Sequence, residues 1–102
     1  MYSARDQRDN EEWLASIDAA ADSLELGSEA RSYASDMFLS QLPDEDRSKN
    51  AVAAASLYAG ALIAGEERSQ SAIAETMEVS RLSIQQRWKD LLRGAGFRPP
   101  SW

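Results

Sequence analysis

Apolar residues recur along this chain at intervals of three and four rather than two. Helices are therefore expected throughout, and no β-strand pattern stands out. Five helical segments can be marked out. In the first, residues 10–24, Trp13, Leu14, Ile17, Ala20, Ala21 and Leu24 form one stripe. Asp9 and Glu12 stand at capping-box spacing, and Gly27 supplies a stop. The second, residues 29–42, takes Ser28 as N-cap and carries a stripe of Ala30, Tyr33, Ala34, Met37 and Phe38. Pro43 ends it, and the polar run PDEDR reads as a loop.

The third segment, residues 48–64, has a different pattern. Between Ala51 and Ala64 only Ser56 and Gly60 are not apolar, and a helix apolar on all sides must be surrounded by others. Gly60 costs about 1 kcal/mol of helix propensity, so a crossing helix is expected there. Gly65 closes the segment. The fourth, residues 70–77, is capped by Ser69, and the fifth, residues 81–93, by Ser80, with Ile84, Trp88, Leu91 and Leu92 facing the core. Residues 1–9 read as a flexible N-terminus and residues 94–102 as a coil tail, in which Pro99 and Pro100 exclude helix. Tyr2 and Trp102 sit in these two ends.

Composition narrows the function classes. A length of 102 residues suits one domain with one core. There is no Cys and no His, which excludes disulfide scaffolds, zinc ribbons, thiol nucleophiles and the commonest general base. No apolar run approaches the roughly 18 residues of a membrane span, and the start, MYSARDQRDNEE, lacks the apolar stretch of a signal peptide. A soluble, cytoplasmic protein is expected, with no enzymatic activity, cofactor or metal. Asp44, Glu45 and Asp46 lack the glycine and distant glutamate of a calcium loop and read as a solvated turn.

Charge is unevenly placed. The net charge is -6, yet residues 1–46 carry 12 acids and 3 Arg, whereas residues 79–102 carry five basic residues against Asp90 alone. An acidic body thus bears a basic C-terminal patch, which suits a polyanion at one end. A helix C-terminus dressed to complement its dipole would look the same.

The fourth and fifth segments, QSAIAETMEVSRLSIQQRWKDL, are separated by about three residues and read as a helix-turn-helix over residues 69–93. Ile73, Ala74 and Met77 face inward from the first helix, Val79 fills the angle, and Ile84 and Trp88 anchor the second. Arg81, Leu82, Ser83, Gln85, Gln86 and Lys89 are left outward. Arg and Gln are the side chains that read guanine and adenine bidentately. Glu78 stands where many such turns place Gly, and a positive φ there would store strain of order 1 kcal/mol. A plain αα-corner shares this pattern.

The stretch RSKNAVAAASLY followed by SQSAIAETMEVSRLSIQQRWKDLL resembles, in order and spacing, one cyclin-like repeat of archaeal transcription factor B and its eukaryotic counterpart, transcription factor IIB. The resemblance is strong over residues 47–93 and weaker over residues 10–42. It implies an all-α, five-helix cyclin-like domain with a C-terminal helix-turn-helix. It also implies a role in transcription, with promoter DNA and the TATA-binding protein as partners. The family's initiation factors add a zinc ribbon, a reader segment and a second repeat, and these 102 residues hold one repeat without Cys. The family's usual base-contacting Val and Arg fall here on Leu82 and Gln85, a change that alters base preference or ends DNA reading.

Two functional readings follow. In the first, the chain is a transcription regulator: Leu82, Ser83, Gln85 and Gln86 face bases, and Arg81, Arg87, Lys89 and Arg93 hold phosphates. In the second, it is a protein-docking module on the transcription machinery without direct DNA reading. A homodimer presenting two recognition helices is a third arrangement compatible with the pattern.

Nine Arg against two Lys, with abundant Asp and Glu and an Ala-rich core, match an extreme halophile's cytoplasm. At molar ionic strength the Debye length is about 3 Å, so repulsion among the acids of residues 1–46 is screened. The melting temperature is expected to rise with KCl up to molar concentration. Thermal melts across a KCl series check this, and a flat or falling trend removes the halophile inference.

Overall fold

The computed structural model describes residues 4–100, with the backbone alone at positions 6 and 7. Tyr2 and Trp102 lie outside the described residues. A short helix α1 (Ala4–Asp9) leads into α2 (Glu11–Ser23) and α3 (Ser28–Ser40). A 3-10 turn, Asp46–Ser48, precedes α4 (Lys49–Ile63), and α5 (Gln70–Met77) follows. The last expected helix is interrupted into α6 (Arg81–Gln85) and α7 (Trp88–Gly94). The fold is all-α, without a strand among the described residues. No helix there is long and apolar enough to cross a membrane.

Helix α4 is the axis of the domain, and α2, α3, α5, α6 and α7 all pack on it. Every residue from Val52 to Ala61 is buried, as the apolar run predicts. Its closest neighbour is α3. A Cβ placed on Gly60 would stand 2.7 Å from the Ala30 carbonyl oxygen and 2.8 Å from the Ala34 nitrogen. The two backbones therefore touch across Gly60, Ala30 and Ala34, and small side chains on both helices are what permit it. Phe38 and Ile17 are fully buried in the same core. On the other flank of α4, Tyr58 meets Trp88 edge to face, with centroids 5.3 Å apart. Burial raises the pKa of the Tyr58 phenol, and a hydrogen bond from Gln70 opposes the shift.

Several helix ends differ from the sequence expectation. Asp9 and Glu12 form no capping box. Asn10 occupies the N-cap of α2 instead, and its side chain turns away to accept a hydrogen bond from Lys49 Nζ at 2.8 Å. Ser28 is the first residue of α3 rather than its cap. Gly27 is not the stop of α2. That helix ends at Ser23, with Glu25 in the left-handed region at φ 56° and Leu26 N–H closing back on the Ala21 carbonyl at 2.8 Å. Leu26 is 3 % exposed, so burying it is what draws the chain into this Schellman closure two residues early. The same closure ends α4 at Gly65, α5 at Glu78 and α7 at Gly96.

Arg68 ties two of these ends together. Its guanidinium donates to the carbonyls of Leu24 and Glu25 after α2 and to those of Glu66 and Glu67 after α4. The Glu66 carboxylate accepts the Gly27 N–H at 3.1 Å. Carbonyls left open by two helix ends thus share one planar donor.

Two stability outcomes are expected. Gly60→Ala forces α3 and α4 apart and lowers stability by about 2 kcal/mol, although alanine is the better helix former. Glu78→Gly relieves the left-handed backbone and removes a negative charge from the end of α5, raising stability by about 1 kcal/mol. Urea unfolding of both variants checks the two signs.

Candidate nucleic-acid interface

Helices α5 and α6 form the expected corner. Ser69 caps α5, its hydroxyl accepting the Ala72 N–H at 3.0 Å. Glu78 takes the left-handed conformation at φ 57°, and Val79 N–H returns to the Ala74 carbonyl at 3.0 Å, which turns the chain sharply. Ser80 then caps α6 by accepting the Ser83 N–H at 3.1 Å. Asn50, at the start of α4, donates from Nδ2 to the Met77 carbonyl at 3.0 Å and pins the end of α5. Asn50 was not apparent from the sequence; its only signal is a polar residue in the first turn of an otherwise apolar helix. Ile73, Ala74, Met77, Ile84 and Trp88 are buried as expected, and Val79 is half-buried.

With Ile84 fully buried, the opposite side of α6 is forced outward. Arg81, Leu82, Gln85 and Gln86 are all exposed on one face. Leu82 is 62 % exposed, and with Arg81 and Gln85 it lines a shallow concavity of about 180 Å³. Arg81 makes no ion pair among the described residues. Ser83 is half-buried, and its hydroxyl lies 2.8 Å from that of Ser80, within the capping arrangement.

The helix breaks where the sequence predicts continuity. Arg87 N–H bonds to the Ile84 carbonyl, three residues back, at 3.0 Å. The Ser83 carbonyl instead accepts from Arg87 Nη1 at 3.1 Å. The Arg87 side chain therefore folds onto its own helix and supports the break. No Gly or Pro marks this point, so composition carries no trace of it. Lys89 is half-buried with Nζ 5.5 Å from the Trp88 ring centroid, a cation–π contact. Arg93 is exposed on α7 and pairs with Asp90 at 3.0 Å. The structure thus gathers four of the eight expected residues on α6 and its last turn. It assigns Ser83 and Arg87 local structural bonds and sets Lys89 and Arg93 on the helix beyond the break.

Elsewhere, Glu45 and Asp46 of the acidic turn are ion-paired to Arg47 and Lys49. A cavity of about 440 Å³ lies along α2 against the end of α5, between Trp13, Ser16, Ala20, Asn50, Met77 and Glu78.

No curated protein matches the chain. The family model for the transcription factor TFIIB repeat matches residues 9–94, from the last residue of α1 through the end of α7. That span contains the buried central helix and the corner between α5 and α6, and the chain belongs to the transcription factor TFIIB repeat family.

Proposed function

We propose that this chain is a transcription regulator, related to transcription initiation factor B, that binds double-stranded promoter DNA through α5 and α6. The observation that carries the reading is the outer face of α6. Arg81, Leu82, Gln85 and Gln86 stand open to solvent while Ile84 locks the same helix to the core. Base edges would meet Leu82, Gln85 and Gln86, and phosphates would meet Arg81, Lys89 and Arg93. Arg87 keeps guanidinium N–H groups beyond the one bonded to Ser83 for a further phosphate. The chain would act in initiation together with the TATA-binding protein. A homodimer would present two such faces.

The rival reading, docking on a protein of the transcription machinery, draws on the cavity along α2. The acids of residues 1–46 would also repel DNA, which suits docking. The open Arg and Gln side chains of α6 favour the first reading.

Selection of duplexes from a random pool, with and without the TATA-binding protein, tests the proposal. Gln85→Ala is expected to change sequence preference, worth about 1–3 kcal/mol at one base position, and Lys89→Ala to weaken binding to all sequences and lower the salt slope by about one. If both variants bind the best selected duplex as the parent does, the recognition face lies elsewhere.

A further inference from the structure

We infer that α6 selects two neighbouring A·T base pairs, with Leu82 seated against a thymine C5-methyl group and the Gln85 amide paired to the adjacent adenine. The inference rests on the DNA-binding reading above and deepens it.

Leu82 is the most exposed large apolar side chain among the described residues, at 62 %. The other, Phe97, is 39 % exposed and packs edge-on against Tyr33. Leu82 stands between the polar side chains of Arg81 and Gln85, which line a concavity with it. It therefore suits a small apolar group projecting from a polar surface. In unmodified duplex DNA the major groove offers one such group, the thymine C5-methyl.

Gln85 supplies the second half. Its amide carries one acceptor and two donors, matching the N6 donor and N7 acceptor of adenine, whereas guanine offers two acceptors on that edge. Spacing places the two contacts side by side. Three residues of helix rise about 4.5 Å, close to one base-pair step of about 3.4 Å, so Leu82 and Gln85 reach consecutive pairs. The break after Gln85 keeps the readout short. Arg87 N–H bonds to Ile84 and its guanidinium to Ser83, which ends α6 there and sets Lys89 and Arg93 on another helix. Arg81, one residue before Leu82, is left for the flanking phosphate or base.

The test uses the full chain and duplexes selected from a random pool, which are expected to share two adjacent A·T pairs. In the best duplex, uracil replaces the thymine, keeping the base pairing and removing only the methyl group. Affinity is expected to fall about fourfold, equivalent to about 0.8 kcal/mol. The Leu82→Ala protein is expected to bind the two duplexes alike. Replacing the neighbouring adenine with 7-deazaadenine is expected to weaken the parent about fivefold and to leave Gln85→Ala unchanged. Equal binding of thymine and uracil duplexes by the parent overturns the base assignment. So does continued discrimination by Leu82→Ala, or a selected set rich in G·C at these pairs. In each of these cases DNA binding itself persists, and the reading it rests on stands. Failure to select any duplex overturns both, and leaves Leu82 exposed for a protein surface.

Discussion

The contact between the backbones of α3 and α4 at Gly60 governs the rest of the domain. With Ala30 O and Ala34 N under 3 Å from where a side chain would begin, the two helices leave no room for a methyl group. That approach lets α4 be covered on this side by α3 and on the others by α2, α5, α6 and α7. An Ala-rich helix can form such a hub only because its neighbours come close. Small side chains bury little area each and gain their packing energy from short interaxial distances. The bulky residues sit around the hub, with Phe38 on α3, Ile17 on α2 and Trp88 on α7 all essentially inaccessible to water.

The exposed face of α6 is a consequence of that hub. Ile84 and Trp88 are held in the core, Trp88 against Tyr58 of α4, and Asn50 at the start of α4 fixes the end of α5. Once those anchors are set, helical periodicity leaves Arg81, Leu82, Gln85 and Gln86 outside with no freedom to turn inward. Ile84, the buried residue of α6, ties this exposed face to the core. Its electrostatics are mixed. Glu78 is exposed in the turn before α6, and Arg93 is partly neutralised by Asp90. Exposed pairs of this kind contribute little to stability.

Helix ends show where burial overrides local preference. Glu25 and Glu78 both adopt left-handed backbone that glycine would take more readily. In each case the following residue, Leu26 or Val79, turns back toward the core. Arg68 then gathers the carbonyls exposed after α2 and α4. The result is a pair of loops joined by one side chain that neither loop's local sequence announces.

The sequence by itself determined the all-α class, the identity of the buried helix and most of the core. Those features follow from periodicity, which is a local property of the chain. The Ala51–Ala64 run, the Gly60 crossing, the Ser69 and Ser80 caps and the corner between α5 and α6 all belong to this class. The outward residues of α6 were legible for the same reason, being those left over once Ile84 and Trp88 turn inward. Tertiary structure decided what depends on distant partners. The side chain of Asn10 faces Lys49 rather than its own helix, and Gly27 yields to Glu25 because Leu26 must be buried. The break at Gln86 and Arg87 also has no local breaker residue. Ile84, Trp88, Leu91 and Leu92 stay buried on both sides of it, and the Arg87 side chain satisfies the carbonyl that the break exposes. Periodicity fixes which face of a helix is apolar, but only the shape of the core decides whether one straight helix can present that face along its whole length.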